Sequence, residues 1–248
     1  MIAGIIPARY GSSRFPGKPL ADIAGKSMIQ RVYEQAAKSK SLQHIVVATD
    51  DERIAGHVQA FGGNVVITAA HHASGTDRCM EALQKLPGQF NYVINIQGDE
   101  PFIQPGQIDE LAAALQDGQT ELATQMIAVE SEAVLFDEGE VKIVLNEAGE
   151  ALYFSRMVIP YIKGVEKKDW HRHHRYYRHV GMYAYRTDIL EKISRLPVSA
   201  LEQAESLEQL RWLQNGFTIK CVLTQYDSYC IDSPADLESV LKLMGNNV

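Results

Sequence analysis

Short apolar runs rich in β-branched residues, Ile2–Pro7, His44–Thr49, Asn64–Thr68 and Tyr92–Ile96, recur through the first part of the chain with helical patterns between them. In "SMIQRVYEQAAKSK" the residues Met28, Val32 and Ala36 fall on one helical face. "DERIAGHVQAFGG" repeats the pattern with Ile54, Val58 and Phe61, and Gly62 stands where a helix closes. Ser74, with Asp77 three residues on, reads as a helix N-cap with an acidic third position. Such an alternation predicts β-α-β-α-β-α-β, because parallel neighbours need crossover helices, and those helices cover both faces of the sheet. The first two runs are nearly continuous in apolar residues, as a strand buried on both faces requires.

The pattern changes after about Leu122. "ELATQMIAV", "VKIVLN", "ALYFSR" and "HVGMYAYR" are strand-like, with fewer helices between them and a polar, His-rich loop from Lys163 to His179. Helical segments return at Asp188–Arg195 and Leu201–Gln214, "TIKCVLT" is a late strand, and Ser233-Pro234 opens a final helix through Met244. We expect one α/β domain over residues 1–248, with a mixed, mostly parallel central sheet and an inserted β-rich subregion able to build a dimer contact.

The net charge of −7 argues against a nucleic-acid partner, which favours a basic footprint. No apolar run approaches the ~20 residues of a membrane-spanning helix, and "IAGIIP" begins at Ile2, so neither membrane insertion nor a targeting segment is expected. Cys79, Cys221 and Cys230 are widely spaced and form no C-x-x-C pair, the pattern of reduced thiols in the cytoplasm.

Against that acidic background, "IIPARYGSSRFPGKPL" gathers Arg9, Arg14 and Lys18 with Gly11 and Gly17 on the loop that leaves the first strand. It is not a P-loop. Five residues separate its glycines where the motif has four, and Pro19 follows Lys18 where a metal-binding hydroxyl belongs. "GKS" at Gly25–Ser27 lacks the first glycine, and no G-x-G-x-x-G occurs at this turn. The chemistry nevertheless suits phosphate. Open α/β sheets bind ligands at the carboxyl ends of their strands. Glycine lets backbone N–H groups approach an anion. Arginine forks onto phosphate oxygens, and lysine adds a point charge.

"INIQGDEP" runs a second strand straight into Gln97, Gly98, Asp99, Glu100 and Pro101, which places Asp99 at the same sheet edge. A carboxylate beside phosphate oxygens is a natural Mg²⁺ ligand. Asp232 in "YCIDSP" also ends a strand-like run, although Asp-Ser-Pro equally reads as a plain helix start. His171, His173 and His174 crowd together without the i, i+4 spacing of a helical metal site, so a solvated or dimer-contact loop is the simpler reading.

Taken in order along nearly the whole chain, "PARYGSSRFPGK", "SGTDR", "NIQGDEP", "LYFSR", "RHVGMYAYR", "LEQAESLEQLR" and "CIDSPADLE" resemble the 3-deoxy-manno-octulosonate (Kdo) cytidylyltransferases. The resemblance implies a Rossmann-like nucleotidyltransferase fold and a cytoplasmic homodimer. It implies transfer of CMP from CTP to Kdo with Mg²⁺, releasing pyrophosphate, for lipopolysaccharide synthesis. It places the nucleotide part at about residues 1–120 plus C-terminal elements, and the sugar and dimer subregion at about 121–215. By the same resemblance, Ala8, Arg9, Arg14 and Lys18 hold the nucleotide and its phosphates, with Ser74 and Arg78 at the cytosine. Gln97 lies between nucleotide and sugar, and Asp99 and Asp232 are the Mg²⁺ carboxylates. Arg156, His179, Tyr183, Tyr185, Glu208 and Gln209 match the sugar pocket, and Arg9, Lys18, Asp99 and Asp232 carry the chemistry. Gly11 and Phe15 stand where other members often carry alanine and leucine.

Other readings remain open on the residues alone. A related acidic sugar, 8-amino-Kdo or sialic acid, would use the same chemistry, but sialic acid enzymes typically continue towards Lys-Asn where this chain has Lys18-Pro19-Leu20. A metal-dependent glycosyltransferase would carry Asp-x-Asp, whereas Asp99 is followed by Glu100 and Pro101. A non-catalytic nucleotide-binding regulator would have no need of both carboxylates.

Overall fold

A computed structural model describes residues 1–12, 14–227 and 230–245. The chain forms two compact units, one of Met1–Ala112 with Ser228–Val248 and one of Ala113–Asp227.

The first unit begins with β1 (Ile2–Ala8), a small hairpin of β2 (Asp22–Ile23) and β3 (Lys26–Ser27), and α1 (Met28–Ala36). There follow β4 (His44–Thr49), α2 (Glu52–Ala60), β5 (Val65–Ile67), α3 (Gly75–Lys85), β6 (Tyr92–Asn95) and α4 (Pro105–Ala114). The α/β alternation read from the apolar runs is therefore present. The strands pair in the order β6-β1-β4-β5, all parallel. Ala3, Ile5 and Ile6 of β1 and Val46 and Val47 of β4 are buried, as strands covered on both faces must be. The helices bury the faces their spacing predicted, Met28, Val32 and Ala36 on α1 and Ile54 and Val58 on α2, while Phe61 falls just past the end of α2 and is half-buried.

Strand order fixes where a ligand can sit. From β1 the chain steps to β4 and β5 on one side, then returns to place β6 on the other. Connections leaving neighbouring strands in opposite directions open a crevice at their carboxyl ends. The loop after β1 and the "QGDEP" loop after β6 both face that opening.

The second unit contains β7 (Leu122–Ala128), α5 (Glu132–Phe136), β8 (Lys142–Leu145), β9 (Ala151–Ser155), α6 (Trp170–His173) and β10 (Tyr177–Arg186). It continues with α7 (Thr187–Ser194), α8 (Ala200–Glu205), α9 (Gln209–Gln214) and β11 (Lys220–Leu223). Its strands run β11-β7-β10-β8-β9, with only β11 and β7 parallel. The helix expected over Leu201–Gln214 is two helices. Ser206 takes φ 54°, a left-handed conformation that stops α8 after the capping box of Ser199 and Glu202. Arg211 of α9 then folds back to pair with Glu202 at 2.6 Å.

The His-rich loop is better anchored than a solvated segment. Trp170 and Tyr176 are buried with Val129 and Leu135 in one apolar cluster. Trp170 Nε1 donates to the Val165 carbonyl at 2.9 Å, and the Tyr176 hydroxyl to that of Pro160 at 2.8 Å. His173 and His174 stay exposed, and among the described residues these histidines do not gather into a metal-ligand cluster.

The chain ends back in the first unit with α10 (Pro234–Gly245). Ile231 and Val240 pack there with Ile23, Met28 and the rim residue Phe15. This cluster ties the basic loop to the C-terminal segment.

Candidate active site

A cleft in the first unit is lined by Pro7, Ala8, Arg9, Ser12, Arg14, Lys18 and Pro19 from the end of β1 and its loop. His72, Ala73, Ser74, Gly75 and Arg78 line it from the start of α3, Gln97, Gly98 and Asp99 from the loop after β6, and Asp232 from the segment before α10. Every residue expected at the nucleotide and metal positions is therefore in one cleft: Ala8, Arg9, Arg14, Lys18, Ser74, Arg78, Gln97, Asp99 and Asp232.

Backbone geometry explains the convergence. Gly17 closes the basic loop at φ 72° with its N–H on the Tyr10 carbonyl at 2.9 Å. A Cβ there would stand 3.1 Å from the Tyr10 ring, which lies against the Arg53 guanidinium. Gly11 differs: a Cβ would meet nothing within 4 Å, so local packing does not demand glycine at that position. Gly98 is the glycine the motif reading left without a role. A Cβ at Gly98 would come within 2.8 Å of the Pro7 carbonyl oxygen, so its absence lets the loop after β6 press against the end of β1. Gly98→Ala is therefore expected to part the two loops and cost roughly 1–3 kcal/mol, read as a lowered denaturation midpoint together with weaker nucleotide binding.

The two carboxylates reach each other through the backbone. The Ile231 N–H donates to the Asp99 carbonyl at 3.0 Å and so brings Asp232 beside Asp99. Asp236 accepts from the Asp232 and Ser233 N–H groups at 3.0 and 2.8 Å and fixes the turn. Lys18 Nζ donates to Asp99 at 2.7 Å and to Asp232 at 3.1 Å. Burial alone would lower the pKa of this ammonium, but Asp99 and then Asp232 outweigh it and hold it above the usual lysine value. Arg14 reaches Asp232 at 3.2 Å.

Asp99, Cys230 and Asp232 place candidate ligand atoms within 4.8 Å of one another. The two carboxylates suit a hard cation, and the exposed Cys230 thiol lies beside them. The Lys18 ammonium between the carboxylates shows that the position favours positive charge.

Arg78 is buried at the cleft wall, with its guanidinium on Thr68 at 2.6 Å and Asp50 at 3.2 Å. Ser74 caps α3 by accepting from the Asp77 N–H at 3.1 Å, as the capping pattern predicts. His72 is a cleft residue that the motif reading missed. Its readable signal is position: it follows β5 on the strand-exit edge that carries the basic loop.

The expected sugar residues lie in the second unit. On β10, His179, Tyr183 and Tyr185 form an aromatic group, with ring centroids 5.2 Å apart for the first pair and 6.0 Å for the second, and Tyr183 lies edge-on to Trp212 at 5.1 Å. His179 Nε2 meets the Thr124 hydroxyl at 2.8 Å, and burial lowers its pKa to about 3, so the ring is neutral near pH 7. Burial, then Tyr185 and Glu208, raises the Tyr183 pKa. Gln209 is buried at the start of α9, directly after Glu208. Arg156 has other partners: its Nε donates to the Glu205 carbonyl at 2.8 Å and an Nη to that of Glu138 at 3.1 Å.

Residues 3–220 match the cytidylyltransferase family model. The chain is 52% identical over 247 residues to the 3-deoxy-manno-octulosonate cytidylyltransferase of Parabacteroides distasonis, covering 98% of each. It is 47% identical over 236 residues to the 8-amino-3,8-dideoxy-manno-octulosonate cytidylyltransferase of Shewanella halifaxensis, covering 94% of each. The solved structure of a CMP:2-keto-3-deoxy-manno-octonic acid synthetase complexed with CTP superposes with a TM-score of 0.91 at 44% identity, covering 100% of this chain and 99% of that one. No helix among the described residues is long and apolar enough to cross a membrane.

Proposed function

The chain belongs to the cytidylyltransferase family, and from that membership we propose how its cleft works. It is a nucleotidyltransferase that transfers CMP from CTP to the anomeric hydroxyl of Kdo, giving CMP-Kdo and pyrophosphate. The observation that carries the mechanism is the convergence of Lys18, Asp99 and Asp232 beneath a basic loop at the carboxyl ends of β1 and β6.

The sugar hydroxyl forms a bond to the α-phosphorus as the bond to pyrophosphate breaks, so the protein chiefly positions groups and neutralises charge. Arg9, Arg14 and Lys18 face the triphosphate and stabilise the negative charge that grows on the departing pyrophosphate. Ser74 and Arg78 hold the nucleotide from α3, and Gln97 lies between nucleotide and sugar. Asp99 and Asp232 would hold Mg²⁺. When bound, that ion screens the phosphates and lowers the pKa of the attacking hydroxyl. In the second unit, His179, Tyr183, Tyr185, Glu208 and Gln209 serve the sugar. Arg156 answers its carboxylate with whatever donors its two carbonyl contacts leave.

Three unpaired cysteines, Cys79, Cys221 and Cys230, support a reducing cytoplasm. Large exposed apolar side chains at Leu152, Met157 and Tyr161 support a homodimer face on the second unit, checked by sedimentation of the wild-type protein. A product of this kind serves lipopolysaccharide synthesis. The test is pyrophosphate release from CTP and Mg²⁺ with Kdo, 8-amino-Kdo and N-acetylneuraminate as parallel acceptors. Release mainly with Kdo is expected. Release mainly with another acceptor would move the sugar assignment, and silence with all three would overturn the reading.

A further inference from the structure

The helix that begins at Ser74 reaches back to the loop ahead of it through one side chain. Glu81, in the second turn of α3, is not among the cleft residues, yet it binds the cleft wall from behind. One of its carboxylate oxygens accepts from the Ala69 N–H at 2.9 Å and also meets His72 Nε2. The other takes Lys85 Nζ at 2.6 Å, and Lys85 also donates to the Ile67 carbonyl at 2.8 Å. The carboxylate is thus tied to three points on the strand exit and on its own helix. Lys85, with Ala69 and His72 adding to it, lowers its pKa to about 2, so it is an anion throughout the working range. Among the described residues, this carboxylate and the His71 ring, 5.0 Å away between centroids, face His72.

An anionic carboxylate has no proton to give, so the hydrogen on Nε2 is the one shared in this contact. In the neutral imidazole this leaves Nδ1 with a lone pair, and among the described residues Nδ1 makes no hydrogen bond. His72 lines the cleft between the strand exit and Ser74. A carboxylate that fixes the tautomer of a histidine at a binding site sets which hydrogen bond that histidine can offer.

We propose that Glu81 is a positioning residue that locks His72 as a hydrogen-bond acceptor for the nucleotide. This rests on the nucleotide reading of the cleft and adds a specificity element to it. The matching donors on a cytidine nucleotide are the exocyclic amine of the base and the ribose hydroxyls. Uracil presents a carbonyl oxygen in place of the amine and would face the Nδ1 lone pair acceptor to acceptor.

Glu81→Gln separates tautomer control from shape. The amide keeps the size of the side chain; with its oxygen kept by Lys85, its nitrogen gives up the Ala69 N–H and donates to Nε2, which moves the imidazole proton to Nδ1 and turns the acceptor into a donor. Affinities of CTP, UTP, 2′-deoxy-CTP and 3′-deoxy-CTP are measured by calorimetry with Mg²⁺ and no sugar, on wild type, Glu81→Gln and His72→Ala. Unfolding midpoints establish that each variant is folded. The imidazole ¹⁵N shifts of His72 are recorded for wild type and Glu81→Gln. About a tenfold loss of CTP affinity is expected in both variants, the scale of one hydrogen bond, with the ¹⁵N pattern of Glu81→Gln switched to the other tautomer. If the amine is the donor, UTP loses no affinity in either variant and gains in Glu81→Gln, where Nδ1 donates to its carbonyl oxygen, while both deoxynucleotides fall with CTP. If a ribose hydroxyl is the donor, UTP falls with CTP and the corresponding deoxynucleotide does not. Wild-type CTP affinity in a folded Glu81→Gln protein, or an unchanged ¹⁵N pattern, would overturn the proposal. Failure of the wild-type protein to bind CTP would instead overturn the nucleotide reading on which it rests.

Discussion

Asp99→Asn is expected to lower kcat about a thousandfold while changing CTP affinity less than about tenfold. The amide has the shape of the carboxylate, and its oxygen still accepts from Lys18 Nζ, now 2.7 Å away, so the cleft should keep its form. It lacks the anionic oxygen that a divalent cation needs. Arg9, Arg14 and Lys18, the proposed partners of the triphosphate, are untouched, so the ground-state complex is expected to survive and the loss to appear in the chemical step. Pyrophosphate release at saturating Mg²⁺ and Kdo gives kcat, and calorimetry gives the CTP affinity. Near-normal turnover would remove Asp99 from the cation site and leave the mechanism without its main electrostatic element.

Lys18→Ala should lower kcat about a hundredfold and, unlike Asp99→Asn, weaken CTP as well, because the phosphate contact proposed for the lysine is made both before and during the reaction. It also leaves Asp99 and Asp232 facing each other without the ammonium that now joins them. Two carboxylates left with Arg14 on Asp232 as their remaining cation attract a free cation more strongly. The variant should therefore bind Mn²⁺ without nucleotide better than wild type, which spin-resonance titration measures. An unchanged rate, or unchanged Mn²⁺ binding, would argue that Lys18 is a structural bridge only.

Much of the nucleotide half was legible because its signals are local. β1 and β4 show themselves as apolar runs with little interruption, since both faces of the sheet are covered. The Ser74 cap is a property of a few consecutive residues. Features that depend on distant segments were not visible. Nothing in "NIQGDEP" says that Gly98 must clear the Pro7 carbonyl, because that contact joins two strand exits. Nothing marks Glu81 as the partner of His72, because a glutamate on a helix surface usually meets only solvent. The helix break at Ser206 was hidden because "LEQAESLEQLR" is helical in composition on both sides, and the return of Arg211 to Glu202 across the bend joins residues nine apart. The boundary at Ala112 and Ala113 falls within α4, where hydrophobic periodicity runs on unbroken.

Asp232 lies 214 positions after the lysine it pairs with. On a ribosome the four parallel strands of the first unit emerge early and can pair as soon as they are free. The second carboxylate emerges only after the whole of the second unit, together with Ile231 and Val240, against which Phe15 rests. A nascent chain therefore carries the basic loop and Asp99 for most of its synthesis but only one of the two carboxylates proposed to hold the cation. On the proposed mechanism such a chain attracts a nucleotide without consuming it, and translation past residue 232 brings the second carboxylate to the cleft.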